Sequence, residues 1–124
     1  MIKINMKVYG NAEVFGNASV CDSAEIYGYA KVYDYASVYD NAKVYDRAEI
    51  YGFTRIYENT EIYGNAQIFG CAEIFGFAKV YNFAKIYATA MVYGNSKVFD
   101  NANVYGSASV YGKAKVYGDA ADMS

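Results

Sequence analysis

Histidine, proline and tryptophan are all absent from this chain. Without histidine it lacks the commonest general base, proton shuttle and zinc ligand. Cysteine is scarce: Cys21 and Cys71 stand alone and make no disulfide framework. Charge of one sign is missing as well, since 11 basic and 13 acidic residues are scattered along the length for a net −2. That balance supplies neither a basic stripe for nucleic acid nor an acidic tail. No apolar run is long enough to span a membrane, and the opening Met1 to Lys7 is too short and too polar for a signal peptide. These absences lead us to expect one cytoplasmic domain over residues 1–124, without nucleic-acid or membrane partners.

What is present is a repeat. Val or Ile recurs at every sixth position from Val8 through Val14, Val20 and Ile26 to Val116, without insertion, and Ile2 shares the phase. Each hexad runs aliphatic, aromatic, Gly or Asp, variable, Ala, polar, as in Val44-Tyr45-Asp46-Arg47-Ala48-Glu49. An amphipathic helix needs apolar positions three and four apart, so period six argues instead for a short strand and a corner. Within the strand, Val44 points to one face while Lys43 and Tyr45 point to the other. Gly, Asp and Asn tolerate the positive φ of a sharp corner. Volume decides which set faces inward. A narrow three-sided prism holds Val, Ile and Ala, whereas three tyrosines per coil would overfill it and strand their hydroxyls. The regular repeats run over 8–121, and Asp122, standing where Val is due, is expected to end them.

Three hexads per coil place residue i over i+18, and the outward polar position tests that count. One face carries Lys7, Glu25, Lys43, Glu61 and Lys79; the next carries Glu13, Lys31, Glu49, Gln67 and Lys85. Opposite charges thus fall on neighbouring coils, about 4.8 Å apart. The alternation lapses at Lys97 and Lys115. An aliphatic residue followed four later by Ala, Ser or Thr, as in Ile62 to Ala66 and Val92 to Ser96, resembles the hexapeptide-repeat family over nearly the whole chain. The resemblance implies an all-β, single-domain, left-handed parallel β-helix, or β-solenoid. Period alone does not give that hand, because parallel crossovers are ordinarily right-handed. Three hexapeptide strands per coil and about six and a half coils make a rod roughly 30 Å long.

Many members of that family are trimeric acyltransferases whose general base is a histidine. This chain has no histidine, no inserted loop of the kind that completes their active site, and no C-terminal extension over the acyl donor. An atypical acyltransferase therefore ranks last, no catalytic residue or cofactor is assigned, and fold does not supply function. Asp22, Asp40 and Glu58 stack at one corner, an oxygen-rich array of the type that can hold calcium. Solvated, salt-screened corner residues are the simpler explanation, so no metal site is assigned. Cys21 and Cys71 fall nearly three coils apart, too far to bridge. Thr54, Thr60 and Thr89 occupy inward or corner slots and make no flat ice-binding array.

The outward aromatic position is filled in every hexad except at Cys21, and stacking between coils explains most of those rings. More selective is the variable corner position, which becomes Tyr29, Tyr35, Phe53, Phe77 and Phe83 in the middle of the rod. Tyr35, Phe53 and Cys71 are spaced by 18 and form one apolar ridge flanked by Tyr33, Tyr51 and Phe69. A contiguous exposed apolar patch marks a contact surface. Unpaired strand edges at either end add a second route to association. The expectation is a non-catalytic, phage-like accessory protein that forms a homo-oligomer, binds a protein partner, or does both, with inhibition of that partner as one outcome of binding. The alternative is a binder of a small planar ligand, a nucleotide or glycan, in tyrosine-lined grooves between subunits.

Overall fold

The computed structural model describes residues 7–122. Twenty two-residue strands, from β1 (Lys7–Val8) to β20 (Ala121–Asp122), begin every sixth residue, and among the described residues there is no helix. Every pairing is parallel and joins residue i to i+18, as in Lys7↔Glu25 and Ile62↔Val80. Three sheets of seven, seven and six strands result. The first carries Lys7 to Lys115, the second Glu13 to Ala121 and the third Ser19 to Ser109, so successive strands visit the three walls of a prism in turn. The expected three-strand coil is therefore present, as a parallel β-solenoid.

Corners between walls are closed turns. The N–H of Ala12 donates to the carbonyl of Tyr9 at 3.2 Å while Gly10 between them has a φ of 63°. Positive φ at the first central residue is the pattern of a type II′ turn. The same backbone holds at Asp46 (φ 59°) and at Ala88 (φ 58°), where no side-chain oxygen assists. Corners also join the ladder, since the N–H of Tyr35 donates to the carbonyl of Gly52 at 2.9 Å. Connections in this fold are thus as hydrogen-bonded as its strands.

Val or Ile from each strand and Ala after each corner fill the axis. From Ile26 to Val104 every one of these aliphatics is fully buried. Where Ala gives way to a hydroxyl, the hydroxyl is satisfied locally: Thr54 donates to the carbonyl of Tyr51 at 2.8 Å, Thr60 to Tyr57 and Ser96 to Tyr93. Tolerance of Thr at these inward slots follows from that bond, because a buried hydroxyl without a partner would be costly.

The ladder reaches Asp122: β20 pairs with β17 (Asn103–Val104), with Val104↔Asp122 in register, and the residues after it lie outside those described. Strand pairing uses backbone groups, so an acidic residue in the aliphatic slot does not by itself stop it.

Candidate interaction surface

The aliphatic residue of each hexad turns inward, so the residue after it stands outward at the end of a strand. These aromatics form three columns. In the second column Phe15, Tyr33, Tyr51, Phe69, Tyr87 and Tyr105 stack with centroids 4.9–5.2 Å apart and planes within 6°. Each inner ring is covered above and below, and Tyr33, Tyr51 and Phe69 are only partly exposed.

The variable corner residues are presented differently. Tyr35 and Phe53, 56% and 61% exposed, stack on each other at 5.0 Å with planes 5° apart, at the edge between the second and third sheets. Cys71 follows on the same edge as a free, exposed thiol. Tyr35, Phe53, Cys71 and the flanking Tyr33, Tyr51 and Phe69 therefore belong to one edge, as their spacing predicted. Tyr29, Phe77 and Phe83 do not join them. Tyr29 and Phe83 occupy the edge between the first and second sheets, three coils apart, and Phe77 the edge between the third and first. All three are exposed, at 54%, 61% and 59%.

Tyr29 has a partner that spacing did not single out. The Arg47 guanidinium lies 5.0 Å from its ring centroid, a cation–π contact at the position one coil on. Both line an open groove of about 760 Å³ that ends at Phe83. A second contact was also missed, the ion pair of Arg55 Nη1 with Glu73 Oε2 at 3.6 Å on the third sheet. Its signal was available in the 18-residue offset of Arg55 and Glu73.

The stacked carboxylates resolve into backbone caps. Asp22 Oδ2 accepts the N–H of Asp40 at 3.3 Å, Asp40 Oδ2 that of Glu58 at 3.2 Å, and Glu58 Oε1 that of Gly76 at 2.8 Å. Among the described residues no group of three or more acidic, Cys or His side chains is arranged to hold a metal ion.

Ionisation follows from the packing of the columns. Burial first, and neighbouring carboxylates such as Glu61 second, push the Tyr45 hydroxyl far above the ordinary phenol value. Tyr27, Tyr33, Tyr51, Tyr57 and Tyr63 are raised with burial as the leading cause. The Cys21 thiol is likewise pushed up, by burial and then by Asp22 and Asp40. These phenols are neutral hydrogen-bonding groups near neutral pH, and the thiol is less nucleophilic than a free one.

No described helix is long and apolar enough to cross a membrane. No protein-family model, no curated protein and no solved structure matches the chain.

Proposed function

We propose that this chain is a non-catalytic interaction protein, a stiff rod that presents the Tyr35–Phe53 ridge to a macromolecular partner in a reducing, cytoplasmic setting. The carrying observation is the pair itself: two stacked rings, each more than half exposed, beside Tyr33, Tyr51 and Phe69, which are covered by their own column. Aromatic rings held rigid before contact lose little entropy on binding, which is why they dominate interface energetics.

Chemistry points the same way. Histidine is absent from the chain, and burial moves the Tyr45 phenol and the Cys21 thiol away from ionisation, which argues against either acting as a base or nucleophile. Two free cysteines suit a compartment that keeps thiols reduced. We also assign the chain to the hexapeptide-repeat solenoids, with their left-handed winding. The 18-residue register and the aliphatic-to-Ala spacing support the solenoid assignment, and the winding hand rests on the family resemblance alone.

The test is gentle purification from the expressing cells followed by native mass spectrometry of wild type and of the double variant Tyr35→Ser/Phe53→Ser. Wild type is expected to carry a reproducible macromolecular companion that the variant loses while keeping its circular dichroism spectrum. Equal retention of that companion by the folded variant would remove the ridge from the contact.

A further inference from the structure

Charge is segregated along one strip of the rod, the edge between the third and first sheets together with the outward face of the first. Its N-terminal half carries Asp22, Asp40 and Glu58 at successive corners, and the C-terminal half has Gly76, Gly94 and Gly112 there instead. On the adjoining sheet, Lys79 pairs in register with Lys97 and Lys97 with Lys115. Earlier in that sheet the signs alternate, Glu25↔Lys43 and Lys43↔Glu61. Like charges directly opposite one another on neighbouring strands are destabilising. Among the described residues none of these three lysines has a carboxylate within 4.0 Å, the one such ion pair being Arg55–Glu73. A basic ladder and an acidic ladder thus lie on one strip, at opposite ends, with the same one-coil step.

We propose that two copies of this chain pair antiparallel along this strip, Lys79, Lys97 and Lys115 of each facing Glu58, Asp40 and Asp22 of the other. The register is fixed by the sequence. Moving one coil up the lysine ladder, from 79 to 97 to 115, matches moving one coil down the acidic ladder, from 58 to 40 to 22. A single two-fold axis therefore satisfies all three pairs, and by symmetry their three mates. That axis falls between residues 68 and 69 along the rod, near its middle, so the two rods overlap almost fully.

The same register puts Phe77, 61% exposed on this edge, beside the axis. The two Phe77 side chains then lie roughly one coil rise, about 4.5 Å, apart along the rods, an apolar centre between two charged ends. Phe77 already lines a groove of about 620 Å³ with Asn59, Asn95, Lys79 and Lys97, into which a second edge can settle. The ladders stay straight because successive coils barely rotate: Tyr27, Tyr45, Tyr63 and Tyr81 stack with planes 3–4° apart. The corner carboxylates remain usable, since one backbone N–H occupies only one of a carboxylate's roughly four lone-pair sites. This interface is separate from the Tyr35–Phe53 edge and does not depend on it.

Sedimentation velocity on the full chain, combined with zero-length carbodiimide cross-linking, tests the pairing. A dimer is expected at low salt, loosening as the screening length falls from about 30 Å at 0.01 M to about 3 Å at 1 M. Mapped cross-links should join Lys97 to Asp40 and Lys115 to Asp22. Within one chain those pairs are about three and about five coils apart, roughly 15 and 25 Å, so such links arise only between copies. The variant Lys79→Glu/Lys97→Glu/Lys115→Glu should raise the dissociation constant at least about tenfold. Asp22→Asn/Asp40→Asn/Glu58→Gln, which keeps an oxygen for each corner N–H, should weaken the dimer in the same direction. A monomer at every salt and concentration overturns the proposal. So does a dimer lacking those cross-links, or one broken by Tyr35→Ser/Phe53→Ser and untouched by the lysine reversals.

Discussion

Asp46 reaches one coil ahead, where its Oδ2 accepts the backbone N–H of Gly64 at 3.0 Å. The relationship recurs at Asp34 with Gly52 and at Asp100 with Gly118, always across 18 residues. Aspartate at a corner thus does two things: it tolerates positive φ and it ties its corner to the next. Asp46→Ala should lose about 1 kcal/mol for the bond and about 1 kcal/mol more for a left-handed alanine. Asp46→Asn keeps an oxygen acceptor and the backbone tolerance, and should cost less than about half as much. Urea denaturation of the two variants checks the order; equal losses would show that neither the retained acceptor nor the backbone tolerance of Asn contributes.

Glycine at other corners answers a tighter constraint. A Cβ added at Gly70 (φ 70°) would lie 2.7 Å from the backbone nitrogen of Ala88, whereas one added at Gly112 (φ 65°) meets nothing within 4 Å. Gly112→Ala should cost only the left-handed strain of about 1–2 kcal/mol. Gly70→Ala adds a clash with a main chain that is itself fixed in the ladder, and should cost about twice as much. Matched denaturation midpoints for the two variants would mean that the coils separate there freely.

Val44 and Ala48 explain why the architecture was legible in advance. An inward aliphatic slot and a crowded inward Ala slot recur without slip, and an invariant 18-residue register follows once three walls are counted. Tyr35 and Phe53 were legible for the same reason, since spacing alone stacks them. Arg47 over Tyr29 was not, because it depends on where a long side chain folds back and the offset fixes only its Cα. Asp22, Asp40 and Glu58 read from sequence as solvated corner residues, without a metal site. Their carboxylates turn along the axis to the next coil's N–H, a choice made by backbone geometry and invisible in residue type. The winding hand likewise does not reside in the period, and the expectation of a left-handed coil rested on the family resemblance alone.

Tyrosine ionisation sets an alkaline limit. In the folded chain Tyr45 holds its proton well above the ordinary phenol value, chiefly through burial and then through Glu61 and the neighbouring Tyr27 and Tyr63 hydroxyls. The unfolded chain titrates near about pH 10. Above that pH the unfolded state has lost protons that the folded state keeps, so stability falls as pH rises. The contribution is complete below about pH 10 and is lost on the way up through the folded value. Tyrosinate absorbance and circular dichroism should therefore change together in an alkaline titration. Tyr45→Phe should move the transition to higher pH. A gradual absorbance rise with unchanged circular dichroism would show that the column ionises without unfolding.

Tyr51 and Phe53 are two residues apart, and their consequences should separate. Tyr51 sits inside a column, stacked on Tyr33 at 5.0 Å and on Phe69 at 5.0 Å, and is only partly exposed. Phe53 stacks on Tyr35 alone and leaves 61% of its surface to solvent. Tyr51→Ser breaks two ring contacts of about 0.5–1.5 kcal/mol each, in addition to its buried area, and should lower the melting temperature clearly. Phe53→Ser breaks one, restores a polar corner of the kind found at Ser107 on the same edge, and should leave the melting temperature within a few degrees. Companion binding should show the reverse ranking, strongly reduced by Phe53→Ser and reduced by Tyr51→Ser only as far as the fold is weakened. Parallel losses of binding and stability in both variants would mean that the ridge matters only as part of the stack.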